Sequence, residues 1–125
     1  MGDTHLLHSE LTKQILEAAF EVNKELGAGF LESVYERSMQ VALMQKGISC
    51  LLQVPLKVKF REVVVGDFFA DMLVEDKVIV ELKTVTNLIG QHKAQVINYL
   101  KATGIDVGLL INFGNPRLEY HRLYR

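Results

Sequence analysis

Apolar residues recur at helical spacing in the first 46 residues of the chain. In the segment 9–26 they form one stripe, made of Leu11, Ile15, Ala18, Val22 and Leu26. Ser9 is suited to cap the start of this helix, and Gly27 is suited to end it. After "GAG" the pattern repeats over residues 31–46 with Leu31, Val34, Tyr35, Met39 and Ala42. We therefore predict two consecutive helices, each with one face packed on a core.

The middle of the chain has the period of β-strands. "QVPLKVKFR" alternates Val54, Leu56, Val58 and Phe60 with polar neighbours, and Pro55 favours an edge position. This segment predicts the outer strand of a meander. From Gly66 the apolar density rises in "DFFADMLV" and "KVIVELKTV", on either side of a polar turn at residues 75–77. These two runs predict a hairpin of central strands.

One more helix and two strands follow. "IGQHKAQVINYLKATG" has helical spacing up to Gly104, "VGLLINF" is a short apolar strand, and "RLEYHRLYR" alternates again. The predicted order is α-α-β-β-β-α-β-β. Because a helix lies between two strands, we expect a crossover with parallel pairing, and hence an α/β fold with a mixed central sheet flanked by helices.

Composition narrows the classes of function. The 125 residues suit one domain over 1–125, with 49% hydrophobic residues for a core. Fourteen basic and fifteen acidic residues give a net charge of −1, which excludes a strongly cationic nucleic-acid-binding surface. A single cysteine, no signal-peptide pattern at the amino terminus and no apolar run near the roughly 20 residues of a membrane span predict a cytoplasmic protein without a membrane partner.

The run "VIVELKTV" places two charges, Glu81 and Lys83, in a strand that otherwise reads as buried. Burying an ion costs several kcal/mol, so Glu81 needs a partner. Residues two apart on a strand share a face, and a Glu81–Lys83 ion pair is one solution. A three-residue hairpin loop would pair Val74 with Val78 and set Asp71 opposite Glu81, whereas a two-residue loop would offset them by one. Two adjacent carboxylates favour a divalent cation.

Asp71 followed by Glu81-x-Lys83 on the next strand resembles the core of the PD-(D/E)XK nuclease superfamily. "GFLESVY", residues 29–35, matches the GxxExxY signature of a family of small prokaryotic proteins in that superfamily, and the resemblance extends over essentially the whole chain. It implies a restriction-endonuclease-like core. It also implies that Glu32 is the first acidic motif, carried on a helix beside the sheet, and that Tyr35 supports it from the same helical face.

"QVINY" follows the Glu-x-Lys strand and resembles the Q-x-x-x-Y motif of RecB-type nucleases. In that resemblance Gln95 lies near the metal site and Tyr99, one helical turn later, supports the helix. An i, i+4 Gln/Tyr pair is also common in simple packing, and that reading stays open.

The resemblance implies hydrolysis of a phosphodiester with Mg²⁺ or Mn²⁺. Asp71, Glu81 and the backbone carbonyl of Leu82 would hold the ion, with Glu32 acting directly or through water. Lys83 would orient the attacking water and Gln95 would position that water or a phosphate oxygen. The expected partner is nucleic acid, chiefly DNA, and a homodimer would bring two sites to two strands.

Two other functions remain open at this stage. One is a nuclease-like fold that has lost catalysis and serves as a binding or scaffold module. The other is a metal-dependent hydrolase of nucleotides or another phosphoester. The basic residues Lys57, Lys59 and Arg61 alternate along the first strand and suit either phosphate contacts or an ordinary solvated face.

Overall fold

The computed structural model describes residues 7–125. The element order is the predicted one, which is confirmed. It comprises α1 Ser9–Leu26, α2 Glu32–Gln45, β1 Cys50–Phe60, β2 Val63–Val74, β3 Val78–Lys83, α3 Gly90–Thr103, β4 Val107–Asn112 and β5 Glu119–Tyr124.

The five strands form one mixed sheet in the order β1-β2-β3-β4-β5. β3 and β4 are parallel and joined through α3, and the other neighbouring strands are antiparallel. The predicted crossover is therefore present, and β1 is at an edge as Pro55 indicated. Because β3 lies between β2 and β4, the charged residues that it carries are in the middle of the sheet.

Two layers of apolar side chains cover the two faces of the sheet. The α1/α2 layer joins residues of these helices, such as Ile15 and Met39, to Val80 and Leu82 of β3. The α3 layer joins Val96, Tyr99 and Leu100 to Ile79, Leu110 and Ala70. β3 alternates between the two layers, which places Glu81 on the α3 side together with Ile79.

The ends and faces of the first two helices differ from the prediction. Ser9 is not the cap of α1: His8 holds that position with a left-handed backbone, φ 56°, and Ser9 is the first helical residue. In α2 the predicted stripe is rotated, since Leu31 is 76% exposed and Val34 is also exposed. The predicted residues Tyr35, Met39 and Ala42 are buried, and Glu36 and Leu43 complete the buried face in place of Leu31 and Val34. A search for apolar stripes misses this rotation because one of the inward residues is a glutamate.

The β2–β3 hairpin has a three-residue loop, which is the loop length that sets Asp71 opposite Glu81. Val74 pairs with Val78, and Lys77 N donates to the Val74 carbonyl at 2.9 Å. Glu75 and Asp76 take left-handed φ values of 52° and 56°. The predicted register of this hairpin is confirmed as far as the Met72–Val80 pair.

The far half of the β1–β2 hairpin projects beyond β3. β3 pairs with β2 only over 72–74, whereas β1 and β2 pair along nearly their whole length and turn at Arg61 and Glu62. We call residues 54–60 and 63–69 the distal ribbon. The prediction that "DFFADMLV" is a central strand is wrong for its first part, since Phe68 and Phe69 are 43% and 57% exposed. The cause is the short β3, which has six residues and cannot cover a twelve-residue partner.

Candidate active site

The carboxyl groups of Asp71 and Glu81 meet where the β2–β3 ladder stops. The backbone N–H of Asp71 donates to Oε1 of Glu81 at 2.8 Å, and the backbone N–H of Leu82 donates to Oδ2 of Asp71 at 2.8 Å. Side-chain acceptors thus take the place of backbone carbonyls immediately beyond the Met72–Val80 pair. Both acids are buried, at 9% and 3% exposure. The strands part enough to admit two carboxylates while their N–H groups stay bonded.

Strands β1 and β2 are both irregular at this point. Ala70 belongs to the α3 layer and Met72 to the α1/α2 layer, although regular alternation would put them on one face. On β1, Gln53 lies between Leu52 and Val54, which pair with Met72 and Ala70, and it has a left-handed φ of 51°. This local irregularity lets Asp71 approach groups from α2 as well as Glu81 on β3.

Gln53 connects α2 to the acids. Its Nε2 donates to Oε1 of Glu36 at 2.9 Å and to Oδ1 of Asp71 at 3.3 Å. The sequence reasoning missed Gln53 because a polar residue at an alternate strand position is ordinarily solvated. Glu36 is likewise absent from the predicted site. No pattern in the sequence signals the bridge, which depends on the unusual backbone at one residue.

Glu32 and Glu36 bring further negative charge from α2. Burial and the nearby charge of Asp71 raise the pKa of Glu32 above its usual range, and Lys83 partly offsets this. Burial also raises the pKa of Glu36, and its hydrogen bond from Gln53 opposes the shift. The predicted acids Glu32, Asp71 and Glu81 therefore belong to one electrostatic cluster, which Glu36 extends.

Glu81 is the most perturbed acid of this cluster. Burial, and then the charge of Asp71, raise the pKa of Glu81 from 4.5 to about 8, although the backbone N–H of Asp71 and the amine of Lys83 act in the opposite direction. Near neutral pH the cluster therefore holds a proton unless a cation replaces it. Pairs of carboxyl groups that raise each other's pKa recur in catalytic and metal-binding sites.

Lys83 ends β3 beside the acids and is half-buried. Its carbonyl accepts from Phe113 N at 2.8 Å, which fixes the backbone at this end of the strand. Among the ion pairs within residues 7–125, none joins Lys83 to Glu81. A direct Glu81–Lys83 pair, the simplest structural reason for the two charges, is therefore absent, and the amine acts on the acids at longer range.

Leu82 combines two roles in its backbone and side chain. The side chain is fully buried in the α1/α2 layer, and its N–H holds Asp71 as described. The alternation of β3 thus puts an apolar anchor between the two charged residues. This anchor keeps the backbone around Glu81 and Lys83 in a fixed position.

α3 places Gln95 and Tyr99 across from Lys83. Nε2 of Gln95 donates to the Tyr99 hydroxyl at 3.2 Å. Burial, followed by the charge of Glu81, raises the pKa of Tyr99, which locates the ring within electrostatic reach of the acids. Gln95, Tyr99 and Lys83 line one groove of about 1190 Å³ between α3 and the distal ribbon. The tyrosine holds the amide at the edge of this groove.

Tyr35 fixes the start of α2. Its hydroxyl donates to the Gly27 carbonyl at 2.6 Å and accepts from Phe30 N at 3.3 Å. Its ring is fully buried and stacks on Phe113, with centroids 4.6 Å apart and an angle of 10°. Because Phe113 N also bonds to Lys83 O, the ring stack links the helix that carries Glu32 to the end of β3.

Asn112 holds the loop between β3 and α3, a second residue that sequence reasoning missed. Its Oδ1 accepts from Val85 N at 3.0 Å and Gly114 N at 2.9 Å, and its Nδ2 donates to Val85 O at 2.8 Å and to Oε1 of Glu119 at 3.1 Å. A Cβ at Gly114 would lie 2.1 Å from Val85 O, so only glycine fits there. The loop that connects Lys83 to Gln95 is thereby fixed at its base.

The donor set of the acid cluster has the chemistry that Mg²⁺ and Mn²⁺ prefer. The ligand atoms offered by Glu32, Asp71 and Glu81 are carboxylate oxygens, with no sulfur or imidazole among them. Over residues 7–125, no three side chains of His, Cys, Asp or Glu are grouped closely enough to hold an ion. Glu81 Oε1 and Asp71 Oδ2 are already bonded to backbone N–H groups, and Asp71 Oδ1 accepts the 3.3 Å bond from Gln53, so a cation would share Asp71 with these donors. The residues thus fit a divalent ion in kind.

Fold and site together define an α/β domain of nuclease-like architecture, with an acid-x-lysine strand at the centre of a mixed sheet. Residues 9–123 match the family model of the PD-(D/E)XK nuclease superfamily, and the chain belongs to that superfamily.

Comparison with other proteins adds information about the fold. A solved structure titled "Crystal structure of SSO0001" is similar to the chain, with a TM-score of 0.59 and 15% identity, over 96% of this chain and 60% of that one. The chain therefore spans somewhat less than two thirds of that neighbour, and at this identity the likeness concerns the fold alone. No curated protein matches the chain. In the part of the chain that the structure describes, every helix is too short or too polar to cross a membrane.

Proposed function

We propose that the protein is a divalent-metal-dependent phosphodiester hydrolase that acts on DNA, in the GxxExxY branch of its superfamily. The observation that carries the proposal is the junction of Asp71 and Glu81, two buried carboxyls that meet beside Lys83. In their ionised forms these two acids would each cost several kcal/mol of stability without a cation, and a bound divalent ion offsets that cost.

Asp71 and Glu81 would hold Mg²⁺ or Mn²⁺, with the Leu82 carbonyl and with Glu32 directly or through water. When bound, the ion acidifies water and offsets the negative charge that develops on the phosphate. The hydrogen bonds from Asp71 N and Leu82 N orient one oxygen of each acid. The remaining oxygens are thereby aimed without a large entropy loss on binding.

The chain's other residues act on water and substrate. Lys83 stands at the end of β3 within electrostatic reach of Glu32 and Glu81, where its ammonium group can orient the attacking water and stabilise its anionic form. Gln95, held by Tyr99, can donate to a phosphate oxygen from the opposite wall of the groove. Tyr35 and Asn112 position the segments that carry Glu32 and Lys83 and touch no substrate.

A nuclease-like binding module is the second candidate. It is favoured because oxygens of Asp71 and Glu81 are already hydrogen-bonded to backbone N–H groups. In addition, no three side chains within residues 7–125 form a ready metal-binding group. In this alternative the carboxyl cluster stays protonated and the groove binds without cleavage. Calorimetry with Mg²⁺ or Mn²⁺ distinguishes the two candidates, because the hydrolase should bind the ion and the binding module should not.

The single Cys50, half-buried and reduced, is consistent with a cytoplasmic location. A homodimer that places two sites on one duplex is a further part of the proposal. Light scattering of the purified chain, alone and with DNA, measures its mass in solution and tests the dimer directly.

The decisive experiment is cleavage of supercoiled, linear and single-stranded DNA, and of RNA, with Mg²⁺ or Mn²⁺ and with EDTA. Glu81→Ala should abolish metal-dependent cleavage, and Lys83→Ala should lower its rate by about 10²–10⁴. Asp76→Ala and Lys77→Ala, an acid and a lysine in the exposed loop at the other end of β3, are matched controls that should retain it. Activity that survives in both site variants would overturn the assignment. Cleavage of a small aryl phosphodiester without cleavage of any nucleic acid would select the phosphoesterase reading instead.

A further inference from the structure

The groove between α3 and the distal ribbon differs in charge from the rest of the molecule. Its lining contains four lysines, Lys57, Lys59, Lys83 and Lys101, and no carboxylate, although acids outnumber bases over the whole chain. Lys57 is partly neutralised by Asp67 at 2.8 Å, and Lys59 and Lys101 are exposed. This local excess of positive charge is complementary to a phosphate backbone.

The size of the groove favours a polymer. Its volume of about 1190 Å³ exceeds the roughly 300–1,000 Å³ typical of small-molecule clefts. Lys83 and Gln95 are part of its wall, so a strand that lies in the groove passes the proposed reaction site. A mononucleotide would fill only part of this volume.

The walls offer more than charge. Phe68 of the distal ribbon is partly exposed, lies in the lining, and contacts Tyr99 with centroids 5.9 Å apart. Gln91 and Asn98 add amide groups, and His92 accepts from Ile89 N at Nδ1, which leaves Nε2 as the proton-bearing nitrogen of its neutral form. Aromatic faces and amides recognise the faces and edges of bases. The faces of the bases and their Watson–Crick edges are inaccessible in an intact duplex, where bases are stacked and paired.

We propose that this groove binds a single unpaired strand of nucleic acid, with Phe68 stacking on a base and Lys59 and Lys101 contacting phosphates. The inference rests on the proposed function only in that the bound strand would be cleaved where it passes Lys83 and the acids. Its binding chemistry is independent of cleavage. Lysines with an adjacent stacking ring are the usual means of binding single strands without sequence preference.

Binding can be measured without cleavage by fluorescence anisotropy in EDTA, with the full chain and a labelled oligonucleotide as single-stranded DNA, single-stranded RNA and duplex DNA. Single strands should bind more tightly than the duplex. Phe68→Ala should weaken single-strand binding by about tenfold and leave the duplex nearly unchanged. Phe69→Ala, the neighbouring exposed aromatic outside the groove, is the matched control and should change neither.

Salt dependence tests the lysines separately. Lys59→Gln should reduce the slope of log affinity against log salt by about 0.7 for a single strand, and Lys24→Gln on α1 should leave the slope unchanged. Tighter binding of the duplex, or equal losses in Phe68→Ala and Phe69→Ala, would overturn the proposal.

The RNA and DNA arms identify which strand the groove prefers. Single-strand binding with no hydrolysis in metal would sustain the groove and reject the hydrolase. Duplex cleavage without single-strand preference would do the reverse.

Discussion

Oε1 of Glu81 accepts the backbone N–H of Asp71 at 2.8 Å, so one site acid positions the main chain of the other. This relationship makes the two residues a structural unit as well as a chemical one. A substitution that removes the carboxyl also removes a backbone hydrogen bond. Charge and hydrogen bonding must therefore be separated in any mutational test.

Glu81→Gln and Glu81→Ala should separate them. The amide oxygen of glutamine can still accept from Asp71 N, whereas alanine leaves a buried N–H unsatisfied at a cost of about 1–3 kcal/mol. We expect both variants to lose cleavage, with Glu81→Ala alone clearly destabilised. Urea denaturation followed by circular dichroism gives the two free energies of unfolding. Equal stability of the two variants would contradict the role of the bond.

The free energy of unfolding without metal should fall as pH rises. Because the pKa of Glu81 is raised to about 8 in the folded state, the folded chain holds its proton more tightly than the unfolded chain, where the value is near 4.5. This stabilisation is complete below about pH 4.5 and is lost progressively up to about pH 8. The raised pKa of Glu32 and of Glu36 adds in the same direction.

Thermal unfolding in EDTA across that range measures the effect on stability. Glu81→Gln should flatten the profile, and Glu17→Gln, at an exposed position on α1, should not. Added Mn²⁺ should raise the melting temperature more at the alkaline end, where the acids are free of protons. A wild-type profile that rises with pH would show that the cluster is not proton-coupled as described.

Lys83 should matter for turnover more than for substrate affinity. If its ammonium group orients the attacking water, Lys83→Ala should lower kcat by about 10²–10⁴ and change KM much less. Lys83→Arg keeps the charge but not the compact geometry, and is expected to recover only a small part of the rate. Steady-state cleavage of an oligonucleotide measures both constants. A large rise in KM with normal kcat would assign Lys83 to simple phosphate binding.

Gln53→Ala should weaken the connection between α2 and the acids. Glu36 and Asp71 lose a shared donor, and about 1 kcal/mol of stability should be lost. With less to hold the acids together, Mn²⁺ affinity measured by calorimetry should fall. Gln45→Ala at the exposed end of α2 serves as the control. If both glutamine variants bind the ion equally well, the bridge has no part in the site.

The sequence predicts the elements well because apolar spacing determines them. The strand register does not follow from spacing alone, because loops of two and three residues were both open. The structure has the three-residue loop before Val78, which brings Asp71 to Glu81. The rotation of α2 and the projecting ribbon were missed. Each depends on a length or a contact that spacing does not encode, namely the shortness of β3 and the inward turn of Glu36.

The site shows the same division. Asp71, Glu81 and Lys83 are found from charge placed in an apolar strand, and Glu32 from a motif. Gln53 and Asn112 give no comparable signal, because their roles arise from backbone geometry in three dimensions. A polar residue that bridges two distant segments looks in sequence like any solvated one.

The irregular course of β1 also bears on solubility. An edge strand with unpaired backbone groups can recruit another chain and begin aggregation, and here that strand continues into the apolar ribbon. Pro55 contributes no N–H, and Gln53 interrupts the extended conformation with its left-handed turn. These two breaks, separated only by Val54, prevent a foreign strand from pairing in register along the exposed side. The same distortion that lets Asp71 reach its neighbours therefore protects the molecule from polymerising.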